Sequence, residues 1–159
     1  MNCPFCERRI DRFAFLASEN FLVIYNRSPI LPGHSLVIPK NHFESLLDLP
    51  QPLASEMMGL SVHAARLLKE VFHAGGFDWT IQDGEEAGQT VSHLHLHLIP
   101  RTKGDLPDPG EWFMEIEKSK HGSIDRASRP RLSEGQLIEI TRRIRQNIPE
   151  AQRFYKGSR

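Results

Sequence analysis

Three histidines stand at alternate positions in the run Gln89-Thr90-Val91-Ser92-His93-Leu94-His95-Leu96-His97-Leu98-Ile99-Pro100. On an extended chain successive side chains point to opposite faces, so His93, His95 and His97 share one face and Leu94, Leu96 and Leu98 the other. The spacing predicts a strand from Val91 to Ile99, with imidazoles on a polar surface and leucines packed on a helix. Two chemistries suit such a row. His-x-His on a strand chelates zinc, and a catalytic zinc takes three protein ligands and keeps one position open. Alternatively, an unperturbed histidine is largely neutral at pH 7, and its imidazole can displace a leaving group at phosphorus through a covalent intermediate.

The stretch Cys3-Pro4-Phe5-Cys6 has the spacing of a metal-ligand pair. A redox pair would need its first cysteine at a helix N-terminus after a strand, and nothing strand-like precedes residue 3. Two unligated thiols are the plainer alternative, and zinc would need two further ligands. Other polar residues carry less. Glu85 and Glu86, adjacent on a loop, read as solvated charges, and His63 and His73 as surface or packed side chains of a helical region. The basic run Arg142-Arg143-Ile144-Arg145 reads as the outer face of the last helix, with no nucleic-acid role.

The elements that must hold these residues are legible in outline. Phe13–Ala17 and Phe21–Tyr25 read as a hairpin around the Ser18-Glu19-Asn20 turn. Pro29 and Pro32-Gly33 break the chain before a third strand, Ser35–Ile38. Leu53, Met57, Leu60, Ala64, Leu67 and Val71 recur at helical spacing, with Pro52 in the first turn and Gly75-Gly76 at the end. Asp78–Gln82 makes a fourth strand, and the histidine run the fifth. Ser133-x-x-Gln136 has capping-box form, and a helix at about 133–148 carries Leu137, Ile140, Ile144 and Ile148 until Pro149 stops it. Trp112 and Phe113 read as a dimer or core contact, and 119–130 as a polar linker. Five strands on short turns with one long helix make an antiparallel α+β domain rather than a βαβ alternation.

Composition narrows the function classes. Twenty Lys plus Arg balance 20 Asp plus Glu in 159 residues, which argues against bulk electrostatic binding to nucleic acid or an anionic membrane. No apolar run reaches the roughly 18–20 residues of a membrane helix, and the first residues carry no apolar signal core. Two cysteines do not make a secreted disulfide scaffold. The expectation is a cytoplasmic protein with no membrane or nucleic-acid partner.

The form His-φ-His-φ-His-φ-φ (φ apolar) at His93–Ile99 is the signature of the histidine triad superfamily of nucleotide hydrolases and transferases, and the chain resembles that family over about residues 10–103. Gln82–Val91, running into the triad, and Asn26–His34 resemble its fragile-histidine-triad branch, which hydrolyses diadenosine polyphosphates. The resemblance implies a five-stranded antiparallel sheet with one long helix packed on it in residues 1–112, and a C-terminal helical extension in 113–159. It implies His95 as nucleophile, with His93, His97, Gln89 and Thr90 completing the catalytic set. Asn26 would bind the ribose, Gln82 or Gln89 the phosphate chain, and Gln89, Thr90, Val91 and His97 the phosphates around the α-phosphorus. His34 would support the triad from behind. Relatives that begin with C-x-x-C imply a structural zinc on Cys3, Cys6, His42 and His93, while a divalent cation enters only as the substrate's counter-ion. The fragile-histidine-triad branch lacks those cysteines. A homodimer follows by analogy. A phosphoramidase, a dinucleoside polyphosphate phosphorylase and a zinc-stabilised nucleotide-binding module stand as alternatives.

Overall fold

The protein is described by a computed structural model that covers residues 3–7, 9–106 and 130–156; Trp112, Phe113 and residues 119–129 lie outside these. Five strands, β1 (Ala14–Ala17), β2 (Phe21–Tyr25), β3 (Ser35–Pro39), β4 (Gly76–Thr80) and β5 (Leu96–Arg101), form one sheet in the order β1-β2-β3-β5-β4. Every strand pair is antiparallel. Among the described residues two α-helices accompany it, α1 (Gln51–Phe72) and α2 (Glu134–Gln146). The α+β expectation holds.

β2 and β3 are buried along their whole length, because both faces of the sheet are covered. On one face Phe21, Val23, Tyr25, Val37, Leu96 and Leu98 pack with Met57, Leu60, Ala64 and Leu68 of α1. On the other, Ala14, Leu22, Ile24, Leu36 and Ile38 lie under Phe5, Ile10 and Phe13 of the N-terminal segment. This double cover explains why these strands read as continuous apolar runs rather than alternating ones.

α1 ends differently from the sequence expectation. His73, at φ +53°, is its left-handed cap and donates its N–H to Lys69 C=O, while Gly76 already opens β4. β5 also begins later than predicted: His93 and His95 sit in an irregular lead-in, and pairing with β3 starts at Leu96. Leu94 N–H still donates to Phe43 C=O at 2.6 Å, and the leucines still face α1. Side-chain alternation therefore survives without ladder pairing.

The C-terminal residues belong to the same core. Leu137, Ile144 and Ile148 are buried with Phe15 and Leu16 of β1. Ser133 and Gln136 form both halves of the capping box, which supplies partners to two N-terminal amides of the helix. The basic run is not uniformly outward: Arg142 and Arg143 are exposed, but Arg145 turns in and donates from Nε to Ala14 C=O at 3.0 Å. Beyond α2 the chain lies along β1, with Ala17 N–H donating to Arg153 C=O and Tyr155 N–H to Ala17 C=O. The hydroxyl of Tyr155 sits against Gly59 of α1, where any Cβ would collide with it.

Two polar clusters fix loops around the sheet. Glu56 of α1 accepts from Ser18 Oγ, Asn20 N–H and Asn20 Nδ2. Burial alone would raise this carboxyl, but the three bonds and nearby Lys40 hold it below the ordinary glutamate range. Arg101 binds Asp105 through two nitrogens at 2.9 Å and Asp78 at 2.6 Å, tying β5 to β4 and to the loop that follows. Sequence reasoning did not find either cluster.

Candidate active site

The loop between β2 and β3 turns on Gly33, whose φ is +87° and whose missing Cβ makes room for Pro100 and Phe72. Its N–H donates to Tyr25 Oη at 3.1 Å. The turn delivers His34, fully buried, to the start of β3 beneath His97 of β5.

Main-chain groups assign the tautomers here. Ile30 N–H donates to His34 Nδ1 at 3.1 Å, so the neutral His34 ring carries its proton on Nε2. That Nε2–H faces His97 Nδ1 at 2.8 Å, which makes His97 Nδ1 the acceptor and places its proton on Nε2. Asn26 Oδ1 accepts from Ser28 N–H, so its Nδ2 is a donor, and the 3.1 Å approach of Nδ2 to His34 Nε2 is a packing contact rather than a bond to the Nε2–H. His95 is oriented oppositely. Its Nδ1 lies 2.8 Å from the carbonyl oxygen of His93, so Nδ1 carries the proton and the ring's lone pair is at Nε2. One ring thus presents a nucleophilic nitrogen, and its neighbour, 5.0 Å away between centroids, a donor.

The triad does not line an open surface. His93, His95 and His97 are 0%, 1% and 0% exposed, the first two covered by Phe5 of the N-terminal segment and the third packed on His34. The Phe5 ring sits 5.5 Å from both His93 and His95, edge-on to the first and tilted over the second. The expectation of a solvated row of imidazoles is corrected accordingly. The cause is local: Phe5 stands between two cysteines that the triad itself anchors.

Those cysteines meet the two histidines implied by resemblance. Cys3 Sγ lies 3.4 Å from His93 Nδ1, and Cys6 Sγ lies 3.3 Å from His42 Nδ1 and 3.5 Å from His93 Nδ1. All four ligand atoms fall within 4.8 Å of one another. A tetrahedral zinc with ordinary Zn–S and Zn–N lengths sets sulfur and nitrogen about 3.5 Å apart, so the donor set fits that metal. The outward ring nitrogens are also engaged, His93 Nε2–H with Pro39 C=O at 2.9 Å and His42 Nε2 with Glu44 at 3.6 Å, which orients both rings as metal-bound histidines require. Burial, aided by His42 and His95 and opposed by the Pro39 bond, keeps His93 below the ordinary histidine range and hence neutral. Burial and Cys3 raise the Cys6 thiol, a preference that a bound cation reverses.

Beside the triad, a cleft of about 420 Å³ is lined by Phe5, Phe13, Ile24, Asn26, Ser28, Leu36, Thr90 and Val91, with Arg131, Glu134 and Leu137 from the C-terminal segment. Thr90 is exposed and Asn26 and Val91 half-buried, so these three predicted positions do converge. Gln82 and Gln89 do not line the cleft. Gln89 is spent on its own loop: Oε1 accepts from Gly84 N–H and Nε2 donates to Glu44 C=O. Gln82 Nε2 donates to Thr80 Oγ1, while its Oε1 is buried with no partner among the described residues.

The HIT domain family matches residues 7–104. The chain belongs to this family. It is 36% identical over 106 residues to a bis(5'-adenosyl)-triphosphatase of Dictyostelium discoideum, covering 67% of this chain and 71% of that one. It is 39% identical over 95 residues to an asymmetrical bis(5'-nucleosyl)-tetraphosphatase of Schizosaccharomyces pombe, covering 60% of this chain and about half (52%) of that one. Among solved HIT structures, a zinc-bound histidine triad family protein of Mycobacterium smegmatis superposes with a TM-score of 0.66 at 32% identity, covering 92% and 93% of the two chains. A protein of Sulfolobus tokodaii described as a hypothetical histidine triad nucleotide-binding protein superposes with a TM-score of 0.69 at 30% identity, covering 91% of each.

The sequence reading missed two contributions to this HIT site, the Phe5 cover and the C-terminal wall of the cleft. Phe5 carried a signal in lying between two metal-ligand cysteines. Arg131 and Glu134 carried none.

Proposed function

We propose that this chain hydrolyses dinucleoside polyphosphates of the diadenosine type through a nucleotidyl intermediate on His95. The observation that carries the reading is the bond from His95 Nδ1–H to the His93 carbonyl, which presents the lone pair at Nε2. The names of the relatives, a triphosphatase and an asymmetrical tetraphosphatase, support the substrate class.

In the first step His95 Nε2 attacks the α-phosphorus. The new N–P bond forms as the bridging P–O bond breaks, and the rest of the polyphosphate leaves. Water then cleaves the N–P bond, releasing a mononucleotide and returning the imidazole. Such transfers depend mainly on positioning and charge stabilisation. Asn26 would hold the ribose, the segment Thr90–Val91 the phosphate oxygens, and His97 would donate from Nε2 to the phosphates. Gln89 acts by holding the 84–88 loop, and His34 by fixing the His97 tautomer. A zinc held by Cys3, Cys6, His42 and His93 would be structural, since four protein ligands leave no open position. Residues 1–112 carry this domain and 113–159 the extension. We place the protein in the cytoplasm as a homodimer, supported by a thiol pair arranged for metal rather than disulfide and by the edge strand β4, where Trp79 is 39% exposed.

Replacing His95 by Ala should lower turnover of diadenosine tri- and tetraphosphate by about 10³-fold or more with the fold retained by circular dichroism; near-normal turnover would sink the assignment. The near-complete burial of His95 favours a second reading, a nucleotide-binding module without turnover. Chromatography of products separates the two, because the module releases no mononucleotide from any dinucleotide.

A further inference from the structure

The two glutamines ahead of the triad differ in what their amides leave over. Gln89 engages main-chain groups through both its oxygen and its nitrogen. Gln82 engages only its nitrogen, which donates to Thr80 Oγ1 at 3.0 Å, while its Oε1 is buried with no partner among the described residues. A buried acceptor left unpaired is destabilising, so it calls for a partner that arrives with the reaction. The strands say where this oxygen lies. β4 and β5 pair Thr80 with His97, and Ile81 packs on the α1 side of the sheet, so alternation returns Gln82 to the imidazole face. Continuing the register by two residues sets Gln82 across from His95, and facing side chains of an antiparallel pair have Cβ atoms about 4.5–5.5 Å apart. Because its amide leans back to Thr80, it stands beside the gap between His95 and His97, whose ring centroids are 5.0 Å apart.

We propose that Gln82 Oε1 positions the water that cleaves the nucleotidyl–His95 bond. The inference rests on the hydrolase reading above and deepens it by giving the second step its own residue. An amide oxygen only accepts, so it has nothing to offer an unprotonated phosphate oxygen; the group it suits carries an O–H. Gln82 therefore serves the water rather than the phosphate chain. The sheet order agrees. The nucleoside cleft lies over β2 and β3, Gln82 follows β4, and β5 with His95 at its head runs between. A phosphorus bonded to His95 Nε2 is then flanked by its own nucleoside on one side and by the amide oxygen on the other. A water donating one O–H to Oε1 turns its lone pair toward that phosphorus, as glutamine does in nucleotide triphosphatases. The new O–P bond forms as the N–P bond breaks, and the electron pair returns to Nε2. One water proton stays on the product's P–OH, and the other leaves to solvent, because a neutral amide orients a water without taking its proton.

The test is rapid-quench kinetics of diadenosine triphosphate with the full chain, following release of the leaving nucleotide and, by intact-protein mass, the nucleotidyl-enzyme. In Gln82→Met, which keeps the bulk and loses the amide, the first release should stay within about threefold of the unaltered rate. Hydrolysis of the nucleotidyl-enzyme should fall about 100-fold, the scale of one lost orienting bond, so that the intermediate accumulates. The size of the first release counts competent sites, so misfolded protein cannot imitate this split. Thr80→Val, which frees the amide from its hydroxyl, should give the same split at about tenfold. Equal slowing of both steps in Gln82→Met overturns the inference, as does an undiminished second step. An unaltered chain that forms no nucleotidyl-enzyme and releases no mononucleotide removes the hydrolase reading and this inference with it; an active chain without the split removes the inference alone.

Discussion

The two outer histidines of the triad are two residues either side of the same nucleophile, yet they are held by different chemistry. His93 directs Nδ1 at two cysteines and Nε2 at a main-chain carbonyl, so it is fixed by a donor set suited to a metal. His97 directs Nδ1 at a neutral histidine whose own tautomer is set by the Ile30 amide. One end sits in a donor set that fits a metal and the other is held by a proton position. The centre depends on both, through the His93 carbonyl on one side and ring contact with His97 on the other. A single side-chain type is thus held in three different ways within five residues, because each ring has a different partner.

That contrast can be broken at either end. The largest effect is expected from removing the coordination. Cys3→Ser with Cys6→Ser should abolish stoichiometric zinc, read by elemental analysis, and lower the melting temperature by roughly 10 °C. Zinc retained at one equivalent would show that the cysteines are not its ligands. Removing the His34 contact that sets the His97 tautomer should be milder and should leave the metal site intact. His34→Ala should lower kcat by about 10- to 100-fold, as losing an orienting partner does, with zinc content unchanged. A chain with altered zinc and intact kcat would reverse the contrast. Smallest of all, Phe5→Ala should speed modification of His95 by diethyl pyrocarbonate a few-fold, consistent with loss of a partial cover, and mass spectrometry of the modified peptide reads it.

The strands, both helices, the capping box and the alternation of the triad were legible because each follows from local spacing. The cysteine pair was legible as a ligand pair, but His42 came only through resemblance, since no spacing connects residues 6 and 42. The place of His34 behind the triad likewise came only through resemblance, since its contact with His97 joins the residue before β3 to β5 across 63 positions. The αL cap at His73 contradicts glycine preference, because a histidine pays a modest steric cost for that conformation where the chain must turn at once into β4. The cover over His93 and His95 was missed because its ring, Phe5, comes from a short irregular segment with no periodicity.

The sheet's two margins are unequal. Along β1 the chain lays its own residues 153–155, so that margin is already occupied, whereas β4 has no neighbour beyond it among the described residues. A sheet with a single unoccupied margin can add one partner strand and then offers nowhere for a third molecule to attach. Were a second copy to pair along β4, the assembly would end at two, because residues 153–155 already lie along β1.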